Sequence, residues 1–254
     1  MRTGVLRILV IGSCGKRKQF SIPNAPQCGD LLTKNDLHKW RNELSDFVCP
    51  TREMYTGNQH RELVRGVDLI RQIKGIEVHL YIISAGFGLL HEYELIPPYE
   101  CSFSGMKTKE IRQRATQLSL KDDIKRICRV RYDLAYIALG KEYLRAIDSE
   151  LLSNLKCTVV KFGPDLPTEQ VIHIPTDTAT IKAISKKGHK IHGIAGFKGD
   201  LLRIIANHAL AQSDPYSEVA SWIDSYSLLQ LIYSLGALGI PPQIIQTSIV
   251  TDSS

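Results

Sequence analysis

The sequence predicts an α/β fold, with a parallel four-stranded sheet flanked by helices and a helical annex at the C-terminal end. Three observations predict it. Four short apolar runs end in loops rich in Gly, Ser or Pro, segments with helical spacing separate them, and 254 residues suffice for one large domain with a small annex. Strands that alternate with helices indicate βαβ units, whose parallel strands all end at one edge of the sheet. Ligands of such sheets bind outside that edge.

Each predicted strand is a continuous apolar run of the kind that parallel sheets bury on both faces. The four predicted strands are Val5–Ile11, Val78–Ser84, Leu134–Leu139 and Thr158–Phe162. The loops that follow them begin at Gly12, Ser84, Gly140 and Gly163. We therefore expect these four exits to lie along one edge of the sheet and to form the working surface of the protein.

Apolar residues three or four apart predict the helices. They cover Arg61–Ile73, Lys107–Val130, Glu142–Leu155, a helix from Asp200 through Ala211, and Val219–Leu238. Prolines and polar residues loosen the pattern after the fourth strand, which divides the chain into a core domain, 1–165, and a linker with a helical extension, 166–254. The apolar stripe of the last helix must be covered, either by the core or by another chain, which would make it the contact of a homodimer or of a partner protein.

The composition is typical of a globular protein, with 43% hydrophobic and 23% charged residues. No apolar run reaches the roughly 18–20 residues that span a bilayer, so we expect no membrane partner. The apolar stretch before Cys14 is too short for a signal peptide, which predicts a cytoplasmic protein.

The six cysteines form no C-x-x-C pair and have no histidine at zinc-finger spacing, so we expect free thiols and no structural zinc.

The net charge of +6 is unevenly distributed. The segment 213–254 contains no Lys or Arg, and its acidic residues are Asp214, Glu218, Asp224 and Asp252. The positive charge therefore lies in the part of the chain that carries the strand exits. This balance suits an anionic partner, nucleic acid first and a phosphorylated small molecule second, although a basic surface that binds neither has the same composition.

The loop Gly12–Lys18 follows the first strand and carries three successive cations. It resembles a P-loop only weakly, because its glycines are too close together and Arg17 stands where Ser or Thr would bind magnesium. Backbone N–H groups and cations here would suit an anion, and the alternative is a solvated turn. The candidates in this loop are Ser13 as a catalytic residue and Cys14, Lys16 and Lys18 as substrate-binding residues.

The second exit combines small residues with carboxylates and aromatic rings. Glu94 is the favoured catalytic carboxylate because the loop that carries it also holds groups able to stack a base. In the alternative interpretation, prolines 97 and 98 only stiffen a turn and Tyr99 only packs. The substrate-binding candidates of this region are Tyr55, Ser84, Ala85, Phe87, Gly88 and Tyr99. The third and fourth exits add Gly140 and Lys141 for binding and Asp165 as a further catalytic candidate.

Three of these segments resemble a family of uncharacterised prokaryotic proteins known only as a domain of unknown function. They are the Ser-Cys-Gly-Lys loop at 13–16, Tyr-Thr-Gly at 55–57, and the run from Ser84 to Tyr99 with Gly-Leu-Leu and Pro-Pro-Tyr. The layout of four strands, and the segment Leu134–Leu144, resemble the uracil-DNA glycosylase superfamily, a three-layer α/β sandwich. That likeness implies a site that excises bases or handles nucleosides. The loops at 13–15 and 163–165 differ from the superfamily's pattern, so no catalytic residue is carried over.

We therefore expect a hydrolase of N-glycosidic bonds that acts on modified bases in nucleic acid, DNA before RNA, without a metal or other cofactor. A carboxylate would stabilise the oxocarbenium-like sugar or activate water, and Tyr99 or Phe87 would stack the flipped base. Lys16, Lys18 and Lys141 would contact phosphates. Two alternatives remain: a catalytically silent nucleic-acid-binding module that recruits partners through its C-terminal helices, and an enzyme that acts on free nucleosides or nucleotides.

Overall fold

The computed structural model of the chain describes residues 4–33, 35–163, 165 and 168–236. Its main sheet contains six strands, rather than the four that the sequence predicts. They are β1 (Leu6–Ser13), β3 (Ile76–Ser84), β4 (Gly88–His91), β6 (Leu134–Ile137), β7 (Thr158–Phe162) and β8 (Val171–Ile174). A separate two-stranded sheet pairs β2 (Cys49–Pro50) with β5 (Leu95–Ile96).

The strand order is β4-β3-β1-β6-β7-β8, and all pairs are parallel except β3 with β4. The four predicted strands form the centre of this sheet as β3, β1, β6 and β7. The two that the sequence analysis missed are edge strands of four residues, and each contains a histidine, His91 in β4 and His173 in β8, so neither is a continuous apolar run. β8 belongs to the segment that was expected to be a linker. Residues Ile8 to Ile11 of β1 are 0% exposed, so helices and loops cover both faces of the sheet.

The helices alternate with the strands as the sequence predicts, but several are shorter than expected. They are α1 (Asn35–Glu43), α2 (Thr51–Met54), α3 (Asn58–Arg71), α4 (Thr108–Gln117), α5 (Leu120–Ile127), α6 (Lys141–Ile147), α7 (Thr178–Lys186), α8 (Gly193–Leu210), α9 (Pro215–Ser221) and α10 (Ser225–Ser234). Short 3-10 helices cover Cys28–Asp30, Ser45–Phe47 and Ser149–Asn154. None of the helices in the described residues is long and apolar enough to cross a membrane.

Three of the predicted helices are each divided in two by a residue that the helical pattern does not reveal. The stretch 107–130 breaks at Ser119, and the stretch 142–155 breaks at Asp148. Both residues have positive φ angles, 53° and 58°, which no helix interior contains. The stretch 219–238 breaks before Asp224, whose side chain accepts a hydrogen bond from the Ser227 N–H and so begins a new helix. Leu238 lies outside the described residues, as does Pro164 of the fourth exit.

Helices α3 and α8 lie side by side on one face of the sheet. A Cβ atom added at Gly199 would lie 2.1 Å from the carbonyl oxygen of Gln59, and one at Gly66 would lie 2.8 Å from the Leu202 side chain. The two backbones therefore touch, and the contacts advance along both helices in the same direction. Because α3 returns from the exit edge of the sheet to the start of β3, both helices begin at the exit edge.

One pair of cysteines is oxidised in the structure. Cys28 and Cys101 form a disulfide with a Cα–Cα distance of 4.8 Å, whereas Cys14, Cys49, Cys128 and Cys157 are free. The expectation of six free thiols is therefore wrong for this pair. The bridge joins residues 73 positions apart. They meet because the chain after Pro97 returns to the segment that precedes Cys28, where the Glu100 N–H donates to the Pro26 carbonyl at 2.8 Å.

The C-terminal helices bury their apolar stripe on the same chain. Trp222 is 0% exposed, as are Val219, Leu228 and Ile232. The Thr158 hydroxyl of β7 donates to the Ile223 carbonyl, and the Ser225 hydroxyl donates to the Glu169 carbonyl at 2.7 Å. The predicted apolar face is thus confirmed in the described residues, and the α/β core of the same chain covers most of it.

We expect Trp222→Ala to lower the free energy of unfolding by about 3–5 kcal/mol, because it leaves a cavity between the C-terminal helices and the sheet. Urea unfolding followed by circular dichroism measures this change. Tyr226→Ala is the matched control: its ring is 41% exposed, so its loss should change the stability by no more than about 0.5 kcal/mol. Equal effects of the two substitutions would contradict the packing described here.

Candidate functional site at the strand exits

The predicted exits lie along one edge of the sheet. β1 is parallel to β3 on one side and to β6 on the other, and β6 is parallel to β7. The chain leaves β1 for β3 on one side and later returns to β6 on the other, so the order reverses between β1 and β6. The loops after these two strands part at such a point, and open α/β sheets bind their ligands in the crevice between them.

At this crevice the first loop touches the helix that follows β6. The Cys14 sulfur lies 3.0 Å from the hydroxyl of Tyr143, which also donates to the Cys14 carbonyl at 3.3 Å. Burial raises the pKa of Tyr143 well above its usual value, and Cys14 adds to the effect. Cys14 is itself only 7% exposed. Both side chains therefore close the floor of the crevice, and only a small part of the thiol is open to a ligand.

A chain of buried hydroxyls fixes the second exit. The Ser84 hydroxyl oxygen accepts hydrogen bonds from the N–H groups of Gly86 and Phe87, at 3.1 and 2.9 Å, and lies 2.7 Å from the Tyr99 hydroxyl. Tyr99 lies 2.8 Å from the Tyr55 hydroxyl. Burial raises the pKa of both tyrosines well above the usual value. Because the Ser84 hydroxyl oxygen already accepts two hydrogen bonds, its O–H donates to the Tyr99 hydroxyl. Ser84 therefore stabilises the conformation of the loop and is not a nucleophile.

The second exit loop is packed inside the protein. Phe87 is 1% exposed and Tyr99 is 0% exposed, and their ring centroids are 4.9 Å apart. A Cβ atom at Gly86 would lie 2.8 Å from the Tyr99 ring, so only glycine fits there. The Ala85 carbonyl accepts from Arg114 at 2.7 Å. As placed, neither ring has a free face on which a base could stack.

Lys18 stands apart from its neighbours Lys16 and Arg17, which are exposed. Its ammonium nitrogen lies 4.6 Å from the centroid of the Tyr99 ring and 3.5 Å from the Gly15 carbonyl. Burial lowers the pKa of Lys18, while Glu100 and Cys14 act in the opposite direction. The backbone of Lys18 forms an isolated antiparallel bridge with Tyr55, which joins the segment 55–58 to the first loop. The two segments therefore form one wall of the site.

Two carboxylates near the second exit, Glu92 and Glu94, do not face the crevice. β4 runs antiparallel to β3 and carries the chain away from the exit edge, so Glu94 lies beyond its far end, 3.9 Å from Arg41. Glu92 is 0% exposed and forms ion pairs with Arg52, at 2.9 Å, and with Arg71. Glu94, which the sequence analysis favoured for catalysis, is thus separated from the other candidates, and Glu92 has a structural role.

A cleft of about 1020 Å³ opens at the exits of β6 and β7. Its cationic lining residues are Arg112, Lys121, Lys141, Arg145 and Lys198. Its acidic lining residues are Asp122, Asp148 and Asp165. Lys121 and Asp148 form an ion pair at 3.3 Å, so the remaining groups leave an excess of positive charge. The cleft also includes Gly140 and Phe162, which is the aromatic ring of its lining.

Asp165 belongs to a small titratable group on the wall of this cleft. Its carboxylate lies 3.6 Å from Nδ1 of His173 on β8, and His173 pairs in register with Lys161 on β7. Burial lowers the pKa of His173, and Asp165 opposes the shift. Burial likewise lowers the pKa of Lys161. The sequence analysis named Asp165 but missed His173, because the four residues of β8 were not recognised as a strand.

Glu62, His192 and Asp200 form the cluster in the described residues that could hold a metal ion, with ligand atoms within 4.8 Å of one another. Arg203 ion-pairs with Glu62 and lies 3.7 Å from Asp200. A guanidinium therefore already neutralises part of the charge that a cation would need. The cluster lies at the start of α8, outside the segments in which the sequence analysis looked for a site.

Comparison with known proteins finds a match to one family model over a segment of the chain, and no activity. Residues 42–166 match the model of a family of unknown function (DUF6884). No curated protein matches the chain. The matched segment contains the hydroxyl chain, the exit of β6 and Asp165, and it begins after the first loop. The expected resemblance to a family of unknown function is confirmed for this segment.

We expect Tyr99→Phe to lower the free energy of unfolding by roughly 1–3 kcal/mol, because the hydroxyls of Ser84 and Tyr55 lose a buried partner. Chemical denaturation gives the difference. Tyr226→Phe removes an exposed hydroxyl from a ring that is 41% exposed and serves as the control, with no measurable change expected. If the Tyr99 variant were as stable as the wild type, the hydroxyl chain would not hold the second exit together.

Proposed function

Because the matched family has no assigned activity, we propose from the site alone that this protein hydrolyses the N-glycosidic bond of modified bases in nucleic acid. The observation that carries the proposal is the cationic cleft at the exits of β6 and β7, whose lining includes the exposed carboxylate of Asp165 and the aromatic residue Phe162. Parallel sheets bind ligands at this edge, and the excess of positive charge selects an anionic ligand. The resemblance of the strand layout to the uracil-DNA glycosylase superfamily agrees with this choice.

The cations of the cleft would hold phosphates on either side of the target nucleotide. Lys141 follows the exit of β6, and Lys198 approaches from α8 with its nitrogen 5.8 Å from the centroid of the Phe162 ring. Burial lowers the pKa of Lys198, and Glu142 opposes the shift. A flipped base needs an aromatic or apolar wall. Phe162 is the aromatic residue of the cleft lining, but it is 7% exposed and packs against Tyr136 and Phe197, so it offers a base only a small apolar surface.

Asp165 replaces Glu94 as the carboxylate of the proposed mechanism. Its side chain is 75% exposed at the cleft, whereas Glu94 is turned toward Arg41. As the C–N bond breaks, positive charge develops on the sugar, and a negative carboxylate beside it stabilises that charge. Ser13 ends β1 at the same edge and is half-buried, so it remains a candidate for contact with the substrate.

A second candidate function is hydrolysis of free nucleosides or nucleotides. The volume of the cleft, about 1020 Å³, is at the upper end of the range for small-molecule sites, so a single nucleotide would fit within it. A module that only binds nucleic acid and recruits partners has less support, because the described C-terminal helices are covered by the core. DNA remains favoured over RNA as the polymer.

The experiment that tests the proposal is a single-turnover incubation with DNA, RNA and free nucleosides that carry modified or unmodified bases. Mass analysis of the small-molecule fraction detects a released base. Base released from DNA supports the proposal, and release from nucleosides alone supports the second candidate. Tight binding of DNA without any release, at enzyme excess and over hours, would contradict both enzymatic functions.

We expect Asp165→Asn to lower kcat for base release by roughly 100- to 1000-fold, because the amide keeps the size of the side chain but removes the charge that stabilises the transition state. Glu94→Gln is the matched control and should leave kcat unchanged. Rapid-quench assays at saturating enzyme compare the two variants. A loss of activity in the Glu94 variant alone would place the chemistry at the opposite end of β4.

We expect Lys141→Ala to weaken nucleic-acid binding and to flatten the dependence of log affinity on log salt by about 0.7–0.9 for one lost phosphate contact. Fluorescence anisotropy at several salt concentrations measures the slope. Lys125→Ala removes an exposed lysine of α5 that does not line the cleft and should preserve the slope. The double variant of Lys16 and Arg17 tests the first loop in the same assay, and an unchanged slope there would assign these two cations to the solvated surface.

A further inference from the structure

The cleft at the exits of β6 and β7 extends away from the edge of the sheet along α6. Its lining includes Lys141, Leu144 and Arg145 of this helix, and Asp148 directly after it. These positions follow one another at helical spacing, so they lie on one face of α6. Seven residues of an α-helix rise about 10 Å, and the cleft reaches that far from the strand exits. Lys121, at the start of α5, closes the remote end through its ion pair with Asp148 at 3.3 Å.

Helix α4 forms the opposite wall of this extension. The residues of the α4 wall are also spaced three or four apart, and they are Arg112, Ala115, Thr116 and Ser119. Phe103, shortly before α4, contacts Tyr143 of α6 with ring centroids 5.2 Å apart. At the other end, Ser119 precedes α5, whose Lys121 reaches the end of α6. The two helices therefore run side by side in the same direction, and the cleft follows them.

Two guanidinium groups in this extension have no partner on the protein. The acidic residues nearby are already paired, Asp148 with Lys121 and Asp122 with Lys125, at 3.8 Å. Arg112 and Arg145 are exposed, and within the described part of the chain their guanidinium groups form neither an ion pair nor a hydrogen bond. Arg145 also stands four residues after Lys141, so two like charges repel each other on one face of α6. An anionic ligand would supply the partner that the protein lacks.

The chemistry of the two walls suits phosphates rather than bases. Arginine side chains and the exposed hydroxyl of Ser119 are groups that typically contact phosphate oxygens and sugars in nucleic-acid complexes. Phe162 lies at the exit end, and no other aromatic ring of the described residues lines the cleft. The extension therefore has donors for a sugar-phosphate backbone and no surface that would stack or read a base.

We propose that the extension between α4 and α6 binds the phosphodiester backbone of nucleotides adjacent to the target nucleotide. This inference rests on the proposed function and names its substrate as a polynucleotide strand. Lys141 and Arg145 are separated by roughly 6 Å along the helix, so successive cations are available as the strand leaves the exit edge. Arg112 contacts the strand from the opposite wall. Charged grooves of this kind follow a backbone without sequence preference. A free nucleoside at the exit end would leave both arginines unused.

The test measures affinity against strand length. Fluorescence anisotropy of the full chain with a labelled thymidine octamer, in competition with shorter thymidine oligonucleotides and thymidine monophosphate, should show an affinity that rises with length and then levels off. Arg112→Gln and Arg145→Gln should each weaken binding of the octamer by roughly 10-fold, because one charged hydrogen-bonding partner is lost. Each should also flatten the dependence of log affinity on log salt by about 0.7 for a single strand. Neither variant should change the affinity for thymidine monophosphate.

Arg131→Gln is the matched control. Arg131 is exposed and precedes β6, at the opposite edge of the sheet, so its replacement should leave affinity and salt slope unchanged. Circular dichroism and urea unfolding verify that the three variants are folded. A duplex of the same length is measured in parallel. Tighter binding of either form than of the mononucleotide, reduced in both cleft variants, supports the inference and shows whether the strand is bound unpaired or within a duplex.

Two outcomes would overturn the inference. One is equal affinity for thymidine monophosphate and the octamer, and the other is a length dependence that both cleft variants retain. Base release from free nucleosides with the same kcat/KM as from DNA would also overturn it, and leave hydrolysis of the N-glycosidic bond intact. Length-dependent binding that both variants lose, without base release by the wild-type protein, would instead overturn the proposed hydrolysis and support the backbone site.

Discussion

The arrangement of the exit edge depends on the direct contact between α3 and α8. Gly199 and Gly66 let two backbones approach so closely that a single added carbon at Gly199 would lie 2.1 Å from a carbonyl oxygen of the other helix. Because both helices begin at the exit edge, this contact brings Asn58, His192 and Lys198 to the ends of β1 and β6. Larger residues at the two glycines would push α8 away from the sheet, and Lys198 would no longer line the cleft.

The two ends of the exit edge are packed differently. On the β3 side, the disulfide between Cys28 and Cys101, the hydroxyl chain through Tyr99 and the side chain of Arg114 fill the space above the strands. On the β6 and β7 side no such packing exists among the described residues, and a cleft of about 1020 Å³ remains. The first half of the edge is therefore a rigid wall, and the second half is where a ligand has room to bind.

The sequence was informative where a residue's role follows from its neighbours in the chain. The four central strands, their common exit edge and the candidacy of Lys141 and Asp165 all follow from apolar runs and the loops after them. Glu94 lies away from the exit edge because β4 runs antiparallel to β3, and a loop rich in polar groups does not reveal this change of direction. The sequence analysis assigned Phe87 and Tyr99 to base stacking because a sequence pattern does not show that both rings are buried.

The pairing of Cys28 with Cys101, and of His192 with Asp200 eight positions later, depends on how distant or irregular segments fold back. No periodic pattern in the sequence encodes these contacts.

Two fully buried carboxylates, Glu92 and Asp200, differ in the groups that they contact. Glu92 is 0% exposed and forms ion pairs with Arg52 and Arg71, which neutralise its charge. These ion pairs hold β4 against α2 and α3. Asp200 is equally buried, but its partners are a histidine with a free nitrogen and an arginine shared with Glu62. Asp200 therefore fixes the start of α8 through its two contacts with His192, whereas Glu92 joins β4 to two helices.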